Sequence, residues 1–188
     1  METKGLKSSI RKSALEKRKT VNTAKESYKI YQNFIKSSYY EKANSIMSYM
    51  NINNEVETGS INKEIVDDDK TLLLPVLINN EIKVSKFTFG DNFKVGEFNI
   101  PEPSPFREYD KHWVEVLLVP GVAFSPKTGH RLGYGKGFFD RFLKDFKGEK
   151  IGLCFEVQLV DDIPYEPQDV SMDLLITEKR IIELKKKK

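Results

Sequence analysis

Hydrophobic positions recur with a helical period at the start of the chain and in short strand-like runs after it. Between residues 5 and 40, apolar side chains fall at roughly helical spacing with cations on the other faces, which predicts one or two helices. The later runs predict strands at residues 45–49, 71–78, 84–89, 115–119, 150–155 and 174–177. Short helices are expected at residues 61–66 and 138–146.

This alternation of strands and helices predicts an α/β domain with a mainly parallel sheet. Pro75 interrupts its apolar run and predicts a strand that ends near a sheet edge. Residues 51–57 are polar and residues 99–105 hold three prolines, so both segments are expected to be irregular. At this length one domain with a substantial core is expected; we assign it to residues 1–184, followed by a basic, disordered tail at residues 185–188.

Composition narrows the class of protein. The chain has 39% hydrophobic and 31% charged residues, as globular proteins do, and no apolar run approaches the about 20 residues that span a bilayer. The charged N-terminal segment has no apolar signal-peptide core. Cys154 is the single cysteine and cannot form an internal disulfide, so we expect it to be a buried small hydrophobe. Together these features predict a cytoplasmic protein.

Charge is distributed unevenly along the chain. Residues 1–42 carry 11 Lys or Arg against 4 acids, whereas residues 43–184 carry 16 against 24. The basic first segment is compatible with a nucleic-acid-binding arm and equally with a helix that presents a stripe of cations to phosphate. The acidic body argues against nucleic acid as a partner.

One connection combines glycines and cations. Residues 120–137, called the glycine loop below, contain five glycines with Lys127, His130, Arg131 and Lys136 between them. Glycine permits positive φ and a close approach of backbone N–H groups to phosphate oxygens, and the cations supply neutralising charge. The loop joins a predicted strand to a predicted helix, where α/β sheets bind ligands. This pattern predicts a nucleotide-using enzyme.

Two common phosphate motifs are excluded by their spacing. A Walker loop needs Ser or Thr after Gly-Lys, but Gly137 follows Lys136, and the same glycines do not fit G-x-G-x-x-G. A long surface loop with several tight turns is the alternative interpretation. Loops of this length in a single domain are uncommon unless they are functional, which favours the phosphate interpretation.

Carboxylates and further cations have two interpretations each. Asp140 falls in the first turn of the predicted helix, where either the helix dipole or Mg²⁺ beside a triphosphate would favour a carboxylate. Asp173, before the last predicted strand, is a second magnesium candidate, and Asp169 could substitute for it. Lys7 and Arg11 share one helix face, where they could grip adjacent phosphates or face solvent.

Several kinds of catalytic site have no signature in the chain. Its two histidines, His112 and His130, form no zinc pattern with Cys or carboxylates, and there is no G-x-S-x-G elbow. Glu55 and Glu57 follow a predicted strand, as surface charges or as partners for the N–H groups of a heterocycle. Catalysis is therefore expected to rest on positioning and charge neutralisation, as in phosphoryl transfer.

Five blocks of the chain, in order, form a recognisable pattern. They are the Lys-x-x-x-Arg of residues 7–11, Asn-Glu-Val-Glu-Thr at 54–58, Phe-Asn-Ile-Pro-Glu-Pro at 98–103, the glycine loop with its following helix (118–124 and 129–143), and residues 169–178. Together they resemble the 5-formyltetrahydrofolate cyclo-ligases, also called 5,10-methenyltetrahydrofolate synthetases. Phe138 and Phe139 stand where that family usually has Tyr-Tyr, and Gln168 stands where many members have His.

The resemblance implies a fold, a reaction and a set of contacts. The fold is a three-layer α/β/α type, similar to ribose isomerases and CoA transferases. The reaction converts 5-formyltetrahydrofolate to 5,10-methenyltetrahydrofolate with ATP and Mg²⁺, through a phosphorylated formyl group that Lys136 and Arg131 would stabilise as catalytic residues. Mg²⁺ is implied at Asp140 and Asp173. ATP contacts are implied for Lys7, Arg11, Arg131, Leu132, Gly133, Tyr134, Gly135, Lys136, Gly137, Phe138 and Phe139. Folate contacts are implied for Met50, Glu55, Tyr134, Gly135, Lys136, Gly137 and Phe138.

Two rival functions remain open at this point. The chain could be a nucleic-acid or nucleotide-binding module that uses its basic first segment and tail without catalysis. It could also be a different ATP-dependent ligase on the same scaffold, because a fold does not fix a substrate. The preferred interpretation is an enzyme with small-molecule substrates, without a nucleic-acid partner or a membrane segment, that acts as a monomer.

Overall fold

The computed structural model describes residues 2–184, so the predicted basic tail lies outside the described residues. The α-helices are α1 (Glu2–Arg18), α2 (Thr23–Ile35), α3 (Ser38–Lys42), α4 (Gly59–Asp67) and α5 (Phe138–Leu143). The strands are β1 (Ser45–Met47), β2 (Thr71–Ile78), β3 (Glu81–Lys86), β4 (Asn92–Val95), β5 (Pro101–Ser104), β6 (Val116–Val119), β7 (Ala123–Phe124), β8 (Arg131–Leu132), β9 (Glu149–Leu153), β10 (Leu174–Ile176) and β11 (Ile181–Glu183).

A seven-stranded sheet in the order β11-β10-β9-β6-β1-β2-β3 forms the centre of the fold. The five inner strands are parallel, and the edge strands β11 and β3 run antiparallel to their neighbours. Side chains alternate between the faces, so Leu118 packs with α2, α3 and α4 while Leu117 packs on the α5 side. The predicted three-layer α/β/α fold with a mainly parallel sheet is confirmed, with a single short helix in the α5 layer.

Three predictions about individual segments are wrong. The strand expected at residues 84–89 is β3, displaced toward the N-terminus, because Asn79 and Asn80 form a two-residue hairpin turn with positive φ at both positions. The segment expected to be irregular at 99–105 contains β5, which pairs with β4 in a hairpin. The helix expected to reach residue 146 ends at Leu143. Strand β11 was not expected.

Pro75 does not end its strand. β2 continues to Ile78, and Pro75 lies beyond Met47, the last residue of β1 that pairs with β2. The missing N–H of Pro75 therefore faces a side of β2 with no neighbouring strand to receive it. Two residues later on the same side, the Leu77 N–H donates to Glu102 Oε1 of β5 at 2.9 Å. Because β1 ends early, this edge of β2 has no strand partner beyond Leu73 among residues 2–184, and the β4–β5 hairpin covers part of it.

Helix α1 packs beside the glycine loop, beyond the carboxyl ends of the parallel strands. Its buried Ala14 contacts a small cluster that contains Val122, Ala123, Leu132 and Ile163. This contact brings the cationic side of α1 against residues 121–134. Cys154 is fully buried in the core, as expected. None of the helices within residues 2–184 is long and apolar enough to cross a membrane.

Candidate active site

The glycine loop leaves the carboxyl end of β6 and reaches α5 through the small β7–β8 hairpin. After β8 the backbone takes positive φ at Gly135 (+99°) and Gly137 (+70°). Residues with a side chain rarely adopt such φ values, so the course of the backbone itself calls for glycine at these two positions. The loop thereby folds back over the end of the sheet and presents residues 133–140 to one cavity.

That cavity has a volume of about 360 Å³ and lies beyond the ends of β1 and β6 and beside Pro75 of β2. Most of the predicted site residues line it. They are Met50, Glu55, Arg131, Gly133, Tyr134, Gly135, Lys136, Gly137, Phe138, Phe139 and Asp140. The structure therefore brings the predicted folate contacts Met50 and Glu55 together with the predicted phosphate contacts of residues 131–140 in one cavity.

Arg131 is the most buried cation of the glycine loop at this cavity. Its side chain is 4% exposed, and Nη2 donates to Asp140 Oδ1 at 2.8 Å. Burial lowers the pKa of the guanidinium, and the carboxylates of Asp140 and Asp169 act against that effect. Its buried Nε has no hydrogen-bond partner among residues 2–184. A buried donor left unpaired is costly, and a ligand oxygen in the cavity would satisfy it.

Lys136 lies at the entrance of the cavity against the β4–β5 hairpin. Its Nζ is 3.7 Å from the centroid of the Phe98 ring, a cation–π contact. Phe98 also contacts Phe138, with ring centroids 5.9 Å apart. Phe98 is half exposed and has a positive φ of 59°, unusual for an aromatic residue. The β4–β5 hairpin thus places the Phe98 ring against the ammonium group of Lys136.

Glu55 is a buried carboxyl in the wall of the cavity, with 5% of its surface exposed. Desolvation by burial raises its pKa to about 7, against the opposing effects of the Ile52 N–H, the Arg18 charge and a hydrogen bond with Tyr134. Ile52 N donates to Glu55 Oε2 at 2.9 Å. Near neutral pH the group is divided between its charged and neutral forms, as expected for a carboxyl that exchanges hydrogen bonds with a ligand.

The cations of α1 approach the loop without lining the cavity. Arg11 Nε donates to the Gly133 carbonyl at 2.8 Å, and Lys7 Nζ lies 3.5 Å from Asp169 Oδ2. Leu132 is buried in the cluster beside α1, so its side chain packs rather than faces a ligand. Lys7 and Arg11 therefore lie outside the lining of the cavity, and they would contact a ligand only at the edge of the cavity.

The other two cations of the glycine loop point elsewhere. Lys127 pairs with Asp161 at 3.0 Å, and the ring of His130 stacks on Tyr165 with centroids 3.8 Å apart. The four basic residues of the glycine loop therefore divide into two pairs: Arg131 and Lys136 line the cavity, whereas Lys127 and His130 make contacts away from it.

Asp173 does not line the cavity. It precedes β10, at the amino end of that strand, and its Oδ2 accepts from the backbone N–H and the Nζ of Lys150 at 2.9 and 2.7 Å. Asp169 pairs with Lys7, and its charge acts to raise the pKa of Arg131 against the effect of burial. It is therefore nearer than Asp173 to the phosphate side of the cavity. No group of three or more His, Cys, Asp or Glu side chains that could hold a metal ion by itself occurs in the described part of the chain.

Comparisons with known proteins identify the family to which the chain belongs. The family model described as the 5-formyltetrahydrofolate cyclo-ligase family matches residues 3–178. The chain belongs to this family. A 5-formyltetrahydrofolate cyclo-ligase of Saccharomyces cerevisiae is 34% identical over 167 residues, covering 74% of this chain and 79% of the relative. A probable cyclo-ligase of Caenorhabditis elegans is 28% identical, covering 93% of this chain and 94% of the relative.

Solved structures of cyclo-ligases share the fold. The 5,10-methenyltetrahydrofolate synthetase of Aquifex aeolicus superposes with a TM-score of 0.87 at 33% identity, over 97% of this chain and 95% of that one. The synthetase of Mycoplasma pneumoniae gives 0.75 at 25% identity, over 92% and 98%. The family resemblance read from the five sequence blocks, and with it the assignment to an enzyme family of ligases, is confirmed.

Several residues in and behind the wall of the cavity were missed by sequence reasoning. Phe98 lies in one of the five matched blocks, but nothing in the block distinguishes a ring over the cavity from one in the core. Arg18 was missed although it follows Lys7 and Arg11 at spacings of eleven and seven, on the same helical face. The backbone of Gly121 and Asn53 also reaches the cavity wall, and no sequence signal indicates that.

Proposed function

We propose that this chain converts 5-formyltetrahydrofolate to 5,10-methenyltetrahydrofolate, with consumption of ATP in the presence of Mg²⁺ and release of ADP and phosphate. The observation that carries the proposal is the single cavity that joins a buried carboxyl, Glu55, to a buried guanidinium with an unpaired donor, Arg131. Family membership supports the folate substrate. The cations and glycines of residues 131–137 support a phosphate-bearing co-substrate.

The reaction requires an activated formyl oxygen, since that oxygen is a poor leaving group. In the proposed sequence it attacks the γ-phosphate of ATP and ADP departs, giving a phosphorylated imidate. Nitrogen 10 of the folate then attacks the formyl carbon, loses its proton, and phosphate leaves with the former formyl oxygen. In this proposal Lys136 and Arg131 stabilise the charge on the transferred phosphoryl group, and Phe98 and Phe138 keep water from it; the contacts of Phe98 with Lys136 and with Phe138 support these roles.

Asp140 has the properties of a magnesium ligand. Its carboxylate is half exposed, lines the cavity and stands beside Arg131, where phosphate oxygens would complete the coordination. Bound Mg²⁺ would neutralise charge on those phosphates. Asp173 fits this role less well because it does not line the cavity and lies at the amino end of β10, so its part in metal binding stays a prediction. Small-molecule substrates, a monomeric state and a cytoplasmic location also stay predictions.

A direct assay tests the proposal. Purified protein is mixed with 5-formyltetrahydrofolate, ATP and Mg²⁺, and the near-ultraviolet absorbance of the methenyl product is followed. We expect a rise that needs both ATP and Mg²⁺, is lost in Asp140→Asn, and persists in Asp145→Asn, an exposed aspartate just beyond the same helix. A folded, ATP-binding protein that gives no rise would contradict the proposal and favour a related ligase with another substrate.

A further inference from the structure

Arg18, at the last position of α1, is buried as deeply as any core residue. It is 1% exposed and is among the largest fully buried side chains of the described chain. Its guanidinium donates to three oxygens: Nη2 to the Asn53 carbonyl at 2.6 Å and to the Tyr134 hydroxyl at 2.7 Å, and Nη1 to the Gly121 carbonyl at 3.4 Å. These acceptors belong to three separate segments of the cavity wall.

The contact with Tyr134 fixes the direction of a hydrogen bond. Arginine has only donors, so the Tyr134 oxygen must act as acceptor toward Arg18. The tyrosine proton is then directed away from Arg18 and is available to Glu55, where hydrogen bonding with Tyr134 lowers the pKa of the carboxyl. Arg18 thereby connects α1 by hydrogen bonds to Tyr134 of the glycine loop and to Asn53, two residues before Glu55.

Burying a guanidinium without a directly paired carboxylate is unfavourable, so the burial of Arg18 calls for an explanation. If Arg18 only held these segments together, its hydrogen bonds to the Asn53 and Gly121 carbonyls would suffice. The third contact joins Tyr134, one residue from Gly133 and two from Lys136, to the same Nη2 that holds Asn53, two residues before Glu55. A shift of the loop at Tyr134 must therefore move or break contacts of Arg18 that position the segment carrying Glu55.

We propose that Arg18 is a positioning residue that ties Tyr134 of the glycine loop to the segment that carries Glu55 and so couples the phosphate side of the cavity to the folate side. This inference rests on the proposed function, in which Glu55 contacts the folate. Arg18 itself touches neither reacting atom. It fixes the hydroxyl that orients the carboxyl, and it supplies a positive charge that favours the carboxylate form.

The charged and titratable groups that face Glu55 are few. Arg18 comes from α1 and Tyr134 from the glycine loop, and both lower the pKa of the carboxyl. Tyr49, fully buried after β1, has its own pKa raised by burial and by Glu55. Removing either Arg18 or the Tyr134 hydroxyl should therefore raise the pKa of Glu55 further above its ordinary value.

Two variants test the coupling. Tyr134→Phe removes only the hydroxyl from a half-exposed ring and should leave folding intact, and Arg18→Met removes the buried donors while keeping a long apolar side chain. The matched controls are Tyr28→Phe on the exposed side of α2 and Arg180→Met, whose side chain pairs with Glu156 near β11. The titration of Glu55 is followed by NMR of ¹³C-labelled carboxyl groups in the ligand-free protein. The pH profile of kcat/KM for 5-formyltetrahydrofolate is measured in parallel.

We expect both variants, and neither control, to move the Glu55 titration and the acid limb of the profile to higher pH. For Tyr134→Phe, kcat/KM at pH 7 should fall about tenfold, the worth of one hydrogen bond to a charged group. Arg18→Met should add less in the Tyr134→Phe background than alone, because the two act in series.

Different failures have different meanings. An unchanged Glu55 titration in both variants would refute the inference, whatever the enzyme does. A shifted titration with an unmoved kcat/KM profile would also refute the positioning role, because the hydrogen bonds would then have no effect on the reaction. Absence of methenyl formation by the wild-type protein would instead contradict the proposed function, which the NMR titration does not depend on.

Discussion

The buried carboxyl of Glu55 makes the stability of this protein depend on pH in a way that one substitution should remove. In the folded protein its pKa is about 7, whereas an exposed glutamate titrates near 4.5, and burial is the main cause. Between these two values the folded state holds a proton that the unfolded state has released. Raising the pH through this range therefore favours unfolding.

The size of the effect follows from the displacement of the pKa. A rise from 4.5 to about 7 corresponds to about 3 kcal/mol of unfolding free energy, all of it expressed once the pH is above 7. Glu55→Gln keeps the shape and can still accept the Ile52 N–H, but it has no charge to bury. Relative to this variant, the wild-type protein should lose about 3 kcal/mol between pH 4.5 and pH 8.

Urea denaturation of both proteins, followed by circular dichroism at pH 5, 6, 7 and 8, measures the difference. Other carboxyl groups titrate in both proteins and cancel when the two curves are subtracted. Glu57→Gln, a neighbouring glutamate for which no comparable burial exists, serves as the control. A difference curve for Glu55→Gln that stays flat from pH 5 to pH 8 would show that burial does not disfavour the charge, and the reasoning would be wrong.

Three further predictions concern the loop and the scaffold. Lys136→Ala should lower kcat by about 100- to 1,000-fold with little change in stability, because its ammonium is expected to meet the phosphoryl group only in the transition state. Gly135→Ala should cost about 1–2 kcal/mol of stability in urea denaturation and also raise KM for ATP, because φ is +99° there although the nearest side-chain atom of Arg11 is 3.8 Å away. Tyr40→Phe should cost about 1 kcal/mol of stability and leave kcat unchanged, since its hydroxyl donates to Asp68 at 2.7 Å, on the helical face opposite α5.

Matched variants separate local from general effects in these experiments. Lys147→Ala, an exposed lysine after α5, should leave kcat unchanged, and a wild-type rate in Lys136→Ala would remove Lys136 from the mechanism. Gly90→Ala carries nearly the same φ, +91°, in open space, so it should lose similar stability without loss of activity. Equal activity losses at Gly90 and Gly135 would contradict a special role for the loop.

The sequence by itself determined the class of fold and the family. Short continuous apolar runs, such as Val116–Val119, are typical of strands in a parallel sheet that is covered on both faces, and this pattern is local enough to read from the chain. The glycines at 135 and 137 could also be read, because their backbone conformations strongly favour glycine. Both signals depend on near neighbours in the chain.

Tertiary structure decided which charges meet. Lys127, His130, Arg131 and Lys136 look alike in sequence, and only the turn through β7 and β8 sends two of them to the cavity and two to Asp161 and Tyr165. The same folding buries Arg18 against oxygens of segments 35, 103 and 116 residues away. Its contacts and the raised pKa of Glu55 come from the exclusion of water at a junction of distant segments, and no local pattern encodes that exclusion.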